Sequence, residues 1–367
     1  MIRVVFIFLF LALTSCNEKY DFNVTSDTPG IVIEASVSDI SFTESIDFPS
    51  AGRYFSVRLS QTTTVDNVRD KLISGARVVL NDSEGNSWQY EENTTGTGLY
   101  YLRNDAFYAQ DEVSYQLVIS LVEGPRFESK WEKLPTTKNE IGGMSFDETN
   151  QGVFEWEAGE RVIKEKDGVN VKIDVNGGAE KSRHFRWSFE PLWLYKSELA
   201  QIDSPVRYCW VTSRYDFKDF VLQEDNGKDA YQKQLFFLET KGNEFVYQYF
   251  SALIHQELIS EDYYNFWRDF EAQKDKGGLF DQPPFGLSTN FTATNSDWTV
   301  NGYFGVVAEK TTRWEFTVDQ LSYNVPNNLY DICEEISDRA DQCVNCLLYN
   351  IGTPTNVTPW WWTRELN

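Results

Sequence analysis

Between residues 31 and 131 the chain runs in short stretches of aromatic, β-branched and polar residues, separated by Gly, Asn and Asp, with no internal sequence repeat. Such runs suit a pleated, half-buried surface and are broken too often for helices. They fall at 31–37, 54–60, 74–80, 88–90, 98–102, 113–119 and 126–131. In 54–60 the alternation puts Phe55, Val57 and Leu59 on one face. The acidic glycine turn at 81–85 joins 74–80 to 88–90 as a hairpin. This rhythm predicts an immunoglobulin-like or transthyretin-like β-sandwich over residues 29–135.

Leu134-Pro135-Thr136 marks the end of that unit, because proline cannot donate to a central ladder. A second β-rich domain is expected over 136–324. Its sharpest local signal is Asp167-Gly168, the residue pair of a type I′ turn, which predicts a hairpin of 161–166 with 169–175. Further strands are expected at 185–190, 208–211, 234–238, 245–254, 302–308 and 314–318. One short amphipathic helix interrupts them. Ser260 caps it, Glu261 and Asp262 suit its first turn, and Tyr263, Phe266, Trp267 and Phe270 form one stripe. Gly277-Gly278 is its expected stop, and Asp281-Gln282-Pro283-Pro284 a rigid turn beyond. The stripe has the makings of a sugar-stacking platform, but aromatic residues at helical spacing are expected to be core. Residues 325–367, with Trp360, Trp361 and Trp362, read as a tail packed on the second domain. The protein is therefore expected to be mainly β.

The first fifteen residues are of a different kind. A basic start at Arg3 and an apolar run over 4–13 lead into Leu13-Thr14-Ser15-Cys16, a lipobox. That run is half the roughly twenty residues a membrane span takes, so residues 1–15 read as a lipoprotein signal peptide. Cys16 is the expected lipidation site and 16–28 a polar tether. Stable attachment takes more than one acyl chain, which a lipidated N-terminal cysteine carries.

With 33 basic and 56 acidic residues the net charge is −23, which repels phosphate backbones and excludes nucleic acid as a partner. The acidic turns at 81–85 and 224–227 lack the alternating carboxylates of a calcium loop. Beyond Cys16 the cysteines are Cys209, Cys333, Cys343 and Cys346, an even set that favours two disulfides in any of three pairings. Cys343-Val344-Asn345-Cys346 also has zinc or redox spacing, but no second close pair completes a zinc site and no βαβ setting is evident. No metal or cofactor is expected.

Catalytic signatures are missing too. The two histidines, His184 and His255, belong to no Gly-x-Ser-x-Gly or His-Glu-x-x-His pattern. His184 is expected at the surface or at a strand end, and His255 as a satisfied, partly buried histidine. Glycosidase carboxylates depend on a spatial separation that sequence does not carry.

Several motifs in order resemble one family. They are 31–35, Ser74-Gly75-Ala76-Arg77-Val78, Gly98-Leu99-Tyr100, the strand at 185–190, Cys209-Trp210, the helix from Ser260 with Gly277 to Asp281 after it, Gly302-Tyr303-Phe304, and Cys343 and Cys346 with Pro359 to Trp362. The chain resembles the Bacteroidota outer-membrane lipoproteins of domain-of-unknown-function family 4249 over almost all its mature length. It departs where Gly286 to Asn290 replaces a glycine–asparagine pair. The resemblance implies an outer-membrane, lipid-anchored protein without enzymatic activity, associated with TonB-dependent receptors. The cell surface is the expected side. Two functions follow. One is a non-catalytic receptor accessory, with Trp193, Tyr195, Trp360, Trp361 and Trp362 as its contact surface. The other is a surface glycan-binding or glycan-cleaving lipoprotein.

Overall fold

The computed structural model describes residues 30–47, 52–62, 71–122, 124–179, 181–213, 220–274, 287–294, 296–335 and 341–366. The signal peptide, Cys16, the tether, Gly277-Gly278 and Asp281-Gln282-Pro283-Pro284 lie outside them. The protein is mainly β. Its first strands are β1 (Gly30–Ser38), β2 (Ser56–Gln61), β3 (Lys71–Leu72), β4 (Arg77–Asp82), β5 (Ser87–Glu92), β6 (Leu99–Tyr101), β7 (Ser114–Ser120), β8 (Arg126–Ser129) and β9 (Glu132–Lys133). A short helix, α1 (Phe42–Asp47), follows β1, and Ser41 and Glu44 close a capping box at its start.

Strand β5 turns the corner of this first unit. Its opening residues pair with β4, whereas Glu91 and Glu92 pair with β6. The sheet thus folds over itself, as strands that change sheets allow. Ile31, Ile33, Val57 and Leu59 from one limb share a core with Val78, Leu80, Leu117, Ile119 and Phe127 from the other.

The later strands are β10 (Met144–Glu157), β11 (Glu160–Val175), β12 (Arg183–Lys196), β13 (Tyr208–Thr212), β14 (Val221–Asp225), β15 (Tyr231–Glu239), β16 (Tyr249–Ile259), β17 (Phe291–Thr294), β18 (Thr299–Phe316) and β19 (Thr353–Thr355). Between them lie α2 (Glu261–Lys274) and α3 (Leu329–Glu335). Hydrogen bonding continues across the Pro135 region. β1 pairs in parallel with β18, and β17 pairs with β8, so one sheet runs through strands from both halves of the chain. Gly302 makes the β1–β18 contact possible. Its φ is +106°, and a Cβ there would overlap the carbonyl oxygen of Ile33.

The predicted turn at Asp167-Gly168 is corrected by the structure. β10 and β11 form a much longer hairpin whose loop is Ala158-Gly159, both at positive φ, as a type I′ turn requires. Gly168 instead lies within β11, opposite Thr149 and Glu239. A Cβ there would meet the backbone of Leu238 and the ring of Phe237, so this glycine serves close strand approach and not a turn. With the register corrected, Val169, Val171, Ile173 and Val175 alternate cleanly into the core. β15 covers β11 only from Gly168 to Val175, which leaves residues 150–167 as a two-stranded ribbon.

Two disulfides fasten the C-terminal tail. Cys209 bonds to Cys346 and Cys333 to Cys343. The tail also adds β19 to β13.

Candidate functional site

β12, β16 and β18 lie side by side, and alternation sorts their side chains onto two faces. Inward go Phe185, Trp187, Phe250, Ala252, Ile254, Leu258, Phe304, Val306 and Phe316, all in the main core. Outward go Arg186 and Glu190 of β12, His255 and Glu257 of β16, and Glu309 and Arg313 of β18. This outer face is ionic in the middle and aromatic at both ends. At one end Ile259, Tyr263, Phe266, Tyr303 and Val307 cluster beneath α2; at the other Leu192, Leu194, Trp210 and Tyr249 gather Trp361 and Trp362 of the tail.

Glu309 is the centre of the ionic part and is 1% exposed. It pairs with Arg53, which the segment after α1 brings across the sheet. Its Oε1 also lies 2.8 Å from His255 Nδ1, while His255 Nε2 lies 3.1 Å from Glu190 Oε1. Asp39 Oδ1 accepts from the Glu309 backbone N–H at 2.7 Å. Burial alone would lower the pKa of His255, but hydrogen bonds to Glu190 and Glu309 raise it to about 9. Burial would raise that of Glu309, yet the Arg53 charge and His255 hold it down to about 2. At neutral pH Arg53, Glu309 and His255 therefore form an ionic chain, and Glu190 holds the other ring nitrogen of His255. Both ring nitrogens of His255 are taken by carboxylates, so it is set up as an ion-pair partner and not as a base beside a nucleophile.

Beside this chain Arg186 Nη1 donates to Glu257 Oε2 at 2.5 Å, and the guanidinium sits 4.1 Å from the centre of the Trp267 ring. Trp267 belongs to α2, where the Ser260 hydroxyl accepts from Tyr263 N–H at 3.3 Å, the expected cap. Tyr263 and Phe266 are buried, in line with a core stripe, whereas Phe270 is exposed at the rim. Between α2, Arg186 and β1 a cavity of about 390 Å³ remains. The other end mirrors the pairing: Arg313 lies 4.0 Å over Trp361 and donates to Ser251 Oγ at 2.9 Å.

The aromatic contact surface expected from sequence is corrected in part. Trp193 and Tyr195 face inward and are buried, stacked at 4.1 Å on Phe245 and on Tyr349. A β-strand offers the same residue types to core and surface, so only the register decides which is which. Trp361 and Trp362 pack against the sheet, and Trp360 is 61% exposed. His184 sits at the start of β12 with its ring 4.9 Å from that of Tyr264. His255 is fully buried and satisfied.

Arg53, Arg186, Glu257 and Glu309 escaped the sequence reading. One signal was there: His255-Gln256-Glu257 interrupts an otherwise apolar stretch, and β16 proves buried along its whole length. The tip of the β10–β11 ribbon also went unread. It presents Phe154, Trp156 and Ile163 on one face, with Trp156 77% exposed.

Over residues 17–313 the chain matches the domain of unknown function DUF4249. It belongs to that family. No curated protein matches it. The match takes in the whole charged sheet face of this DUF4249 protein except the tail that closes one end. Among the described residues, no helix is long and apolar enough to cross a membrane.

Proposed function

We propose that this DUF4249 protein is a non-catalytic accessory of a TonB-dependent outer-membrane receptor. In this reading Cys16 is acylated and holds the protein at the outer membrane, facing the medium. The free end of the β10–β11 hairpin is the part that touches the receptor.

The observation behind this reading is the distribution of side chains along that ribbon. Phe154 pairs with Ile163 and Trp156 with Arg161, so one face carries three large apolar groups that are 56%, 62% and 77% exposed for Phe154, Ile163 and Trp156. Arg161 lies 4.0 Å over the Phe154 ring. The opposite face is spent on its own ion pairs, Lys164 with Glu155 and Glu157, and Lys166 with Glu155. Contiguous exposed apolar groups rimmed by polar ones are what protein contact surfaces offer, with aromatic residues and Arg as anchors. Glu157 and Glu160 flank the turn itself. Their charges oppose entry into lipid, which leaves a protein groove as the complementary surface.

A photo-crosslinking amino acid at Trp156, in intact cells, tests this reading. The expected adduct is a β-barrel receptor of the TonB-dependent class, identified by mass spectrometry and absent from a Phe154→Ser background. Adducts to lipid alone, to a second copy of this chain, or to nothing would overturn it.

A further inference from the structure

We propose that the cavity between α2 and β1 binds an acidic sugar, a ring bearing one carboxylate and several hydroxyls. Its volume, about 390 Å³, lies within the range of small-molecule sites. The recognition element is Arg186. A guanidinium offers five N–H donors in a planar fork, and here Nη1 is fixed on Glu257 while the face is stacked on Trp267. The side chain keeps 17% of its surface open and lines the cavity. Nε is buried and has no acceptor among the described residues. A buried charged donor without a partner is unfavourable, and the Nε–Nη2 edge is the geometry that takes a carboxylate through two parallel hydrogen bonds.

The remaining walls say what the carboxylate is attached to. Ser36, Ser56 and Asn301 supply hydroxyl and amide groups on the β-strand side, and Phe270 supplies an apolar ring at the exposed rim. A body with hydroxyls on its edges and C–H groups on its faces satisfies both walls at once. A purely aromatic acid leaves the polar wall unpaired, and a neutral sugar leaves Arg186 unpaired. The walls carry carboxylates as well, Glu34 itself and Glu132 behind Tyr303, so only an anion that bonds directly to Arg186 is held. Arg186 is matched by Glu257, and Glu34 stands opposite Arg58 across the β1–β2 pair. This site is separate from the hairpin tip, and its failure leaves the docking reading untouched.

Titrating the full-length protein with glucuronate while following tryptophan fluorescence tests the proposal, with glucose and benzoate as comparisons. Saturation is expected with glucuronate at millimolar concentrations or below, and at least tenfold weaker response from the other two. Arg186→Lys keeps the charge beside Glu257 but removes the fork, and should weaken glucuronate at least tenfold with an unchanged near-ultraviolet CD spectrum. Phe270→Ala, at the exposed rim, should weaken it several-fold and guards against a folding defect in the first variant. No saturation by glucuronate overturns the proposal. So does equal binding of benzoate or glucose, or full affinity in both variants.

Discussion

The outer face of the β12–β16–β18 sheet and the free end of the β10–β11 hairpin depart from the usual arrangement of side chains in opposite directions. The first hides charges: Glu309, His255 and Glu257 are buried. The second shows aromatic residues to solvent. Each buried charge has a named partner inside the molecule, so its presence is accounted for by the fold. Phe154, Trp156 and Ile163 stay mostly exposed, with Arg161 over the Phe154 ring. The comparison separates an internal frame, where polar groups pair with one another, from an exposed apolar surface that the docking proposal places against a partner.

The largest effect is expected from breaking the frame. Glu309→Gln leaves Arg53 and the His255 imidazolium without their shared carboxylate. Glu309 and His255 are both buried, and removing one partner of a buried pair typically costs about 3–5 kcal/mol, whereas the Arg53 side chain is 41% exposed and adds less. The matching change on the ribbon, Glu155→Gln, also takes a carboxylate away from two lysines, yet exposed pairs contribute roughly 0–1 kcal/mol. Urea unfolding of the two variants measures the contrast directly. A Glu309→Gln protein within about 1 kcal/mol of the parent would show that the buried chain is not what holds the sheet to α1.

A smaller effect is expected from pH, and its direction follows from two opposite shifts. His255 is raised from 6.5 to about 9, so its ionic contribution is complete below about 6.5 and fades as pH climbs through about 9. Glu309 is lowered from 4.5 to about 2, so its contribution is complete above about 4.5 and fades as pH falls through about 2. The frame should therefore be firmest between pH 4.5 and 6.5. Unfolding midpoints at pH 5.5, 7.5 and 9.5 should decline in that order, and the decline should flatten in a His255→Gln variant. A flat profile in the parent protein would mean that His255 is neutral in the folded state.

How much of this was legible in the sequence differs along the same divide. The strand rhythm, the cap at Ser260 and the even cysteine set are local, and the fold keeps all three. What failed depended on pairing between distant residues. Trp193 and Tyr195 are strand aromatics whose facing is set by β16 and β13. Arg53 meets Glu309 across 256 positions of sequence, with no local trace. Asn290, in the stretch that departs from the family pattern, donates to the Phe304 carbonyl and accepts from its N–H. It thereby ties the stretch before β17 to β18. The hairpin turn was misplaced because Asp-Gly is the stronger local turn signal, yet Ala158-Gly159 is where the two strands reverse.

The smallest effect on stability, and the sharpest use of the comparison, is expected at the hairpin tip. Phe154→Ser together with Trp156→Ser removes two large apolar groups that are mostly in water already. Surface changes of this kind usually stay within about 0.5 kcal/mol, so the urea midpoint should hold even as retention on a hydrophobic column falls. The double variant then isolates the surface from the frame: a protein folded as well as its parent that, on the docking proposal, loses its receptor adduct. A loss of more than about 2 kcal/mol would instead place these rings among the groups that hold the fold, since losses of that size come from buried or strained sites. The difference between the two regions would then be one of degree. The exposed face of the ribbon would need an explanation inside the chain, as Glu309 already has.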